Sequence, residues 1–138
     1  MTLLMKNIVK ASFVASLFVS PTQAAEINME PGMWEWSMTM EMPGMPMAIP
    51  PAVDSSCTTR DDLIPKTTGE NKDCKMLENQ VTGNSVQWKM ECNSAGSKAL
   101  SDGEMTYAGT TANGKIMVST QGMVMTTKVK GRRTGACK

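Results

Sequence analysis

The chain has 138 residues, a formal net charge of +1 at pH 7, and no histidine. This length fits one domain with a modest core, and the near-neutral charge argues against a protein that binds nucleic acid. Without histidine, the usual Ser-His-Asp and Cys-His nucleophilic sites are excluded. No motif for a phosphate or dinucleotide cofactor occurs either. We therefore expect a protein that is not an enzyme.

The first 24 residues have the pattern of a secretory signal peptide. Two lysines precede a short apolar run over residues 11–19, and small residues indicate cleavage after Ala24, with Ala25 as the alternative. The apolar run is far shorter than the ~20 residues that a transmembrane helix needs. We predict that residues 1–24 are removed and that residues 25–138 form a single β domain in the periplasm. A retained N-terminal membrane anchor is the alternative.

A strongly alternating stretch begins at Met33. Its polar side carries Glu, Ser and Thr, and its other side carries Trp34, Trp36, Met38, Met40 and Met42. Alternation with a period of two predicts a half-buried β-strand. The strand should end at the turn pair Pro43-Gly44. Further prolines as far as Pro51 disfavour a second paired strand and predict an irregular loop that carries methionines.

The polar stretch over residues 53–73 contains no strand pattern. Thr58 or Thr59 is suited to cap a short helical turn, which Pro65 would stop. An exposed loop is expected from there to residue 73.

A β-hairpin is predicted around Gly83, because turn residues there precede an alternating strand that contains Trp88. Pairing the two strands about this turn opposes Cys74 with Cys92 and Met76 with Met90. A bulge is expected near Glu78, since that carboxylate would otherwise face Trp88.

The four cysteines all lie in the part predicted to be exported. An even number of cysteines in a small exported domain predicts two disulfides. A metal site formed by the cysteines is disfavoured, because the chain has neither a Cys-x-x-Cys pair nor a histidine. Opposed residues of a hairpin are close enough to bridge, which favours Cys74 with Cys92. Cys57 with Cys137 then follows by elimination.

The C-terminal part predicts further antiparallel strands. Residues 101–103 have turn chemistry, and the Asn-Gly pair at 113–114 is the strongest hairpin signal in the chain. A two-residue turn there would place Tyr107 opposite Thr120. Gly122 is expected to form a turn or a bulge before the last strand. The predicted fold is an all-β antiparallel meander, as a curled sheet or small open barrel, with a Pro/Met-rich loop and two disulfides.

Several sequence pieces occur together in the order typical of one family. They are Pro31-Gly32-Met33-Trp34-Glu35, the Met/Pro run from Met42, Cys57-Thr58, Cys74, a Trp-containing strand ending at Cys92, and Arg133-Thr134-Gly135-Ala136-Cys137. Because it contains this ordered set of pieces, the chain resembles the domain of unknown function 3617 family. The resemblance implies a small exported bacterial protein, usually periplasmic, whose function is not established. It supplies no catalytic residues.

Methionine is the residue type whose pattern most suggests chemistry. The chain has fifteen methionines, and thioether sulfur is a soft ligand that favours Cu(I) over harder ions. Met42, Met45 and Met47 straddle a proline-stiffened turn and are the candidate ligands for Cu(I) or Ag(I). The alternative is that the methionines pack the core and form a flexible apolar contact surface.

The preferred interpretation is a non-enzymatic periplasmic binding or interaction module for an unidentified protein partner or small ligand. The alternatives are a Met-rich Cu(I)/Ag(I)-binding protein and a carrier of a small lipophilic ligand. A carrier should keep a hydrophobic cavity lined by its tryptophans, whereas a partner-binding protein should expose its Met-rich loop on a solid sheet. The candidate contact residues are therefore Trp34, Trp36, Met45, Met47, Ile49 and Trp88.

Overall fold

The computed structural model describes residues 26–45, 49–65 and 73–138. The predicted signal peptide and Met47 lie outside these ranges. Seven strands form within them: β1 (Gly32–Glu41), β2 (Ala52–Thr58), β3 (Cys74–Thr82), β4 (Ser85–Ser94), β5 (Ser97–Ala108), β6 (Thr111–Thr120) and β7 (Met123–Gly135). No helix in the described ranges has the length and apolar character needed to cross a membrane.

All seven strands belong to one antiparallel sheet with the order β2-β1-β7-β6-β5-β4-β3. Strands β3 to β7 form a meander, and β1 pairs with β7, so that the two ends of the described chain meet. The all-β antiparallel class is confirmed. The sheet is open and uncurled, with β2 and β3 at its edges, rather than curled or closed into a small barrel.

Strand β1 forms as its alternation predicts, with Trp34 and Trp36 buried on one face. Strand β2 is not predicted by the sequence, because its residues are polar and mostly exposed. It forms at the sheet edge by pairing with β1, from Gly32 opposite Thr58 to Met38 opposite Ala52. An exposed edge strand gains its ladder hydrogen bonds from its neighbour and needs no apolar face of its own.

The predicted helical turn after β2 is a single reverse turn instead. The Asp62 amide donates a hydrogen bond of 3.0 Å to the Thr59 carbonyl, and residues 60–65 contain no helix. Beyond this turn the chain runs without regular structure to Pro65, where the described range ends. Most of the predicted exposed loop, residues 66–72, lies outside the description.

The predicted β3–β4 hairpin is confirmed, including its bulge. Cys74 pairs with Cys92 and Met76 with Met90, and the register then shifts so that Glu78 faces Lys89. The shift leaves Asn79, rather than Glu78, opposite Trp88. Both predicted disulfides form, Cys74–Cys92 with a Cα–Cα distance of 4.0 Å and Cys57–Cys137 with 5.4 Å.

The predicted turn at residues 113–114 is wrong, because these residues lie inside β6. The turn is made at Gly109, whose φ of +71° belongs to the left-handed region that glycine tolerates. Tyr107 consequently faces Ala112, not Thr120. Gly114 serves packing instead, because a Cβ there would lie 2.7 Å from the Met105 sulfur.

The predicted turn at residues 101–103 is also wrong, since these residues continue β5. Gly103 lies opposite Trp88 in the β4–β5 register, and the indole ring lies over it. The glycine therefore makes room for a ring. By contrast, the turn predicted at Gly122 is confirmed, with Thr120 paired to Met123 around it.

The core lies on one face of the sheet, which we call the apolar face. Trp34 is fully buried, stacks on Trp36 with ring centroids 5.4 Å apart, and meets Tyr107 edge-on at 6.0 Å. These rings come from strands separated by β7 and β6. They meet because Gly131 and Ala112 occupy the positions between them, and these small residues leave space for the rings above the backbone.

Two chain segments cover one end of the apolar face. The N-terminal segment, residues 26–31, contributes Ile27 and Met29 to the core, and the covering loop, residues 59–65, packs Leu63 and Ile64 against it. The Tyr107 hydroxyl donates a 2.6 Å hydrogen bond to the Leu63 carbonyl. The hydrogen bond attaches the covering loop to the aromatic core, and the N-terminal segment is held by the burial of Ile27 and Met29.

The opposite face, which we call the charged face, is covered by cross-strand ion pairs. Five of them are Arg132–Glu35 at 3.0 Å, Lys128–Glu41 at 2.7 Å, Lys115–Glu104 at 3.5 Å, Lys89–Asp102 at 3.6 Å and Lys98–Glu91 at 3.5 Å. Because the pairs are exposed to solvent, each adds little stability. Their alternation with the core residues determines which face of every strand points inward.

Candidate functional site

A line of mainly apolar side chains crosses the apolar face at the end that the covering segments do not reach. The strand registers place its members side by side on β3, β4, β5, β6 and β7. Successive members oppose each other directly, so neighbouring Cβ atoms are ~5 Å apart. We call this line the methionine row, and it consists of Met76, Met90, Ser101, Val118 and Met125.

The methionine row is only partly buried. Met76 is 41% exposed and its other members are half-buried, while Met123, at the strand end beside the row, is 62% exposed. Met90 and Val118 also pack against the buried core. The apolar face is therefore continuous, with a covered aromatic end and an exposed methionine end.

The surroundings of the methionine row are uncharged. On either side of it the registers place a row of apolar and small polar residues, from Met40 to Asn79 on one side and from Met123 to Cys74 on the other. None of these described residues is ionisable apart from the disulfide-bonded cysteines. A long apolar surface with flexible thioether side chains adapts to partners of different shape.

The Met-rich loop begins with an ordered turn. The Met45 amide donates a hydrogen bond of 3.4 Å to the Met42 carbonyl, with Pro43 and Gly44 between them. Gly44 has a φ of +84°, so proline followed by this glycine forms a turn of type II. Met42 is half-buried and Met45 is 62% exposed.

The residues predicted as contacts are divided by the structure into two groups. Trp34, Trp36 and Trp88 are 0%, 4% and 4% exposed and form the core. Met45 is exposed and Ile49 is half-buried, while Met47 lies outside the described residues. Of the three predicted metal ligands, the turn thus brings Met42 and Met45 near each other.

Several ionisable side chains of the described residues meet in ion pairs on the charged face. A depression of about 210 Å³ on the charged face is lined by the side chains of Lys89, Asp102 and Lys115 among others, and these belong to the ion pairs described above. Burial raises the pKa of the Tyr107 phenol well above its usual value. Its hydroxyl is already bonded to the covering loop.

No group of three or more His, Cys, Asp or Glu side chains within the described ranges is arranged to hold a metal ion. Methionine thioethers are not among these ligand types.

Sequence reasoning did not identify the methionine row as a site. One signal was present, because the predicted hairpin already opposed Met76 and Met90, two of its members. The remaining members come from β5, β6 and β7, whose predicted registers depended on the wrong turn at residues 113–114. An alignment of the strands on Gly96, Gly109 and Gly122 as turn residues would have joined Met90 to Val118 and Met125.

The comparisons with known proteins give a family and no function. No curated protein matches the chain significantly, and neither does any solved structure. One family model, described as "Protein of unknown function (DUF3617)", matches residues 29–137. The match covers all seven strands and both disulfides, and the chain therefore belongs to the DUF3617 family of proteins of unknown function.

Proposed function

We propose that this protein is an exported, non-enzymatic binding module whose methionine row takes an apolar segment of a protein partner. The proposal rests on the end of the apolar face that the described segments of the chain leave uncovered. Side chains such as Met76 and Met123 stay 41% and 62% exposed beside a core in which Trp34 is fully buried. Contiguous exposed apolar surface on a small protein commonly marks an interaction site.

A protein partner is favoured over a small lipophilic ligand by the way the tryptophans pack. The carrier hypothesis requires a hydrophobic cavity among the tryptophan rings. Instead, Trp34 and Trp36 stack on each other, and Trp36 and Trp88 lie over Gly131 and Gly103. The rings thus occupy the space that a ligand would need.

Export to the periplasm is supported by two features. The N-terminal sequence has the pattern of a signal peptide, and two disulfides link all four cysteines. The absence of histidine from the sequence supports a role without catalysis.

The test is capture of the partner from a periplasmic extract by immobilised protein. Met76→Glu with Met123→Glu places two charges on the exposed end of the apolar face, and binding of the partner should be lost. Met117→Glu is the matched control, because Met117 is 39% exposed but lies on the charged face. Both variants should keep the thermal stability of an intact fold.

Capture of the same proteins by the wild type and by Met76→Glu/Met123→Glu would refute the proposal. Equal loss of capture in the Met117→Glu control would assign the interaction to the charged face. If only a small lipophilic molecule copurifies with the protein, the carrier hypothesis replaces the proposal.

A further inference from the structure

The pairing of β1 with β7 brings methionines from opposite ends of the chain together. The last pair of this ladder is Glu41 with Thr126, so the next position on each strand places Met42 opposite Met125. One pair back on the same face, Met40 lies opposite Thr127. Met40, Met42 and Met125 therefore form a triangle on the apolar face, at the point where β1 ends.

The three side chains of the triangle are close enough to bind one metal ion together. Directly opposed Cβ atoms are ~5 Å apart, and residues on a diagonal or two positions along one strand are ~7 Å apart. Methionine has three rotatable side-chain bonds, so its sulfur moves over several ångströms at little cost. Three sulfurs from corners at these separations can meet at one point above the sheet.

The surroundings of the triangle favour a soft ion of low charge. Met40 is 46% exposed, and Met42 and Met125 are half-buried, so an ion can reach the sulfurs from solvent. The charged residues next to the triangle along β1 and β7, Glu41 and Lys128, point to the charged face and pair with each other at 2.7 Å. Neutral thioethers without a neighbouring carboxylate offer little to Mg²⁺ or Ca²⁺ and select soft ions.

The backbone around the triangle is already ordered. Met40 is a ladder residue of β1, Met125 is one of β7, and Met42 is the first residue of the type II turn closed by Met45. Fixing the ligands before binding reduces the entropy that binding must lose.

We propose that Met40, Met42 and Met125 bind a soft monovalent metal ion, Cu(I) or Ag(I). The site shares Met42 with the ligand set predicted for the loop and replaces Met45 and Met47 by strand residues. The site shares Met125 with the methionine row. Substitution by leucine separates the two roles, because leucine keeps the apolar surface that a partner would contact and removes the sulfur that binds the metal ion.

The experiment is a titration of the purified, disulfide-bonded protein with Ag(I) in the presence of a competing chelator. Ag(I) needs no reductant, so the disulfides stay intact. Met42→Leu with Met125→Leu should weaken binding by at least about tenfold, since even changes outside the ligand shell of a metal site cost that much. Met76→Leu with Met117→Leu is the control and should bind as the wild type does. It makes the same change at two exposed positions, Met76 on the edge strand far from β1 and Met117 on the charged face.

A second measurement identifies the ligands without any substitution. With ¹³C-labelled methionine methyl groups, the NMR signals of Met40, Met42 and Met125 should shift on addition of Ag(I). Shifts confined to other methionines, or no binding by the wild type, would overturn the proposal. A loss in Met45→Leu/Met47→Leu as large as that in Met42→Leu/Met125→Leu would also overturn it and return the site to the loop.

Discussion

The packing of Trp88 on Gly103 provides the sharpest test of the structure. Gly103→Ala adds one methyl group, which would lie less than 3.0 Å from three atoms of the Trp88 ring, a separation that real Cβ atoms essentially never show. Trp88 is 4% exposed, so its ring can yield only by displacing neighbouring core groups. The φ of Gly103 is not in the left-handed region, so the effect of the substitution is steric.

Two opposing effects determine the magnitude. Overpacking a filled core costs roughly 1–3 kcal/mol. Replacing glycine by alanine also restricts the unfolded chain, which stabilises the fold by about 0.4–1 kcal/mol. We expect Gly103→Ala to lower the free energy of unfolding by roughly 1–2 kcal/mol, which corresponds to a fall in Tm of about 4–8 °C for a domain of this size.

Urea unfolding followed by tryptophan fluorescence measures this loss. Gly135→Ala is the matched control, because Gly135 also lies in a strand but an added Cβ meets nothing within 4 Å. Equal stability of the two variants would refute the packing argument. In a Trp88→Phe background the ring is smaller, so the cost of Gly103→Ala should shrink, and an unchanged cost would show that Trp88 is not the group displaced.

Three further predictions concern the disulfides and the single tyrosine. Replacing Cys57 and Cys137 by Ser should cost about 4–5 kcal/mol in urea unfolding, against about 3 kcal/mol for Cys74 and Cys92, because the loops they close span 80 and 18 residues. Tyr107→Phe should cost about 1–2 kcal/mol, because it leaves a carbonyl of the covering loop without its hydrogen bond. Since burial raises the pKa of Tyr107, absorbance titration should show ionisation above the usual pH range in the folded protein and at about pH 10 in urea. The stabilisation that the folded protein gains by burying neutral Tyr107 is therefore fully present below about pH 10 and is lost as pH rises towards the folded-state pKa. An ordinary pKa of Tyr107 in the folded protein would contradict its buried position.

The sequence predicts those parts of the fold that are determined by interactions between residues close together in the chain. The alternation from Trp34 to Met40 predicts β1 and its buried face, and turn residues followed by an alternating strand predict the β3–β4 hairpin. That hairpin opposes Cys74 and Cys92, which gives the first disulfide and leaves a single pairing for the second. A period of two and a short turn both act over a few residues, so the sequence carries them directly.

The turn predictions are wrong where the role of a glycine is determined by a side chain that is distant in the sequence. Gly103 and Gly114 have the chemistry of turn residues, but they lie inside strands to leave room for Trp88 and Met105. Gly109, with less obvious turn neighbours, forms the turn instead. A glycine required for close packing and one required for a positive φ are identical in sequence, and only the position of the opposing side chain distinguishes them.

The amino-acid sequence by itself determined the all-β class, the strand β1, the first hairpin, both disulfides and the family. The tertiary structure decided that β1 pairs with β7 and that the sheet stays open. It also decided that Met42 lies beside Met125, and that Met76, Met90 and Met125 share one partly exposed row with Ser101 and Val118. Both candidate sites depend on strand registers across the whole sheet, and a register is set by the collective burial of one face, a property that no short stretch of sequence contains.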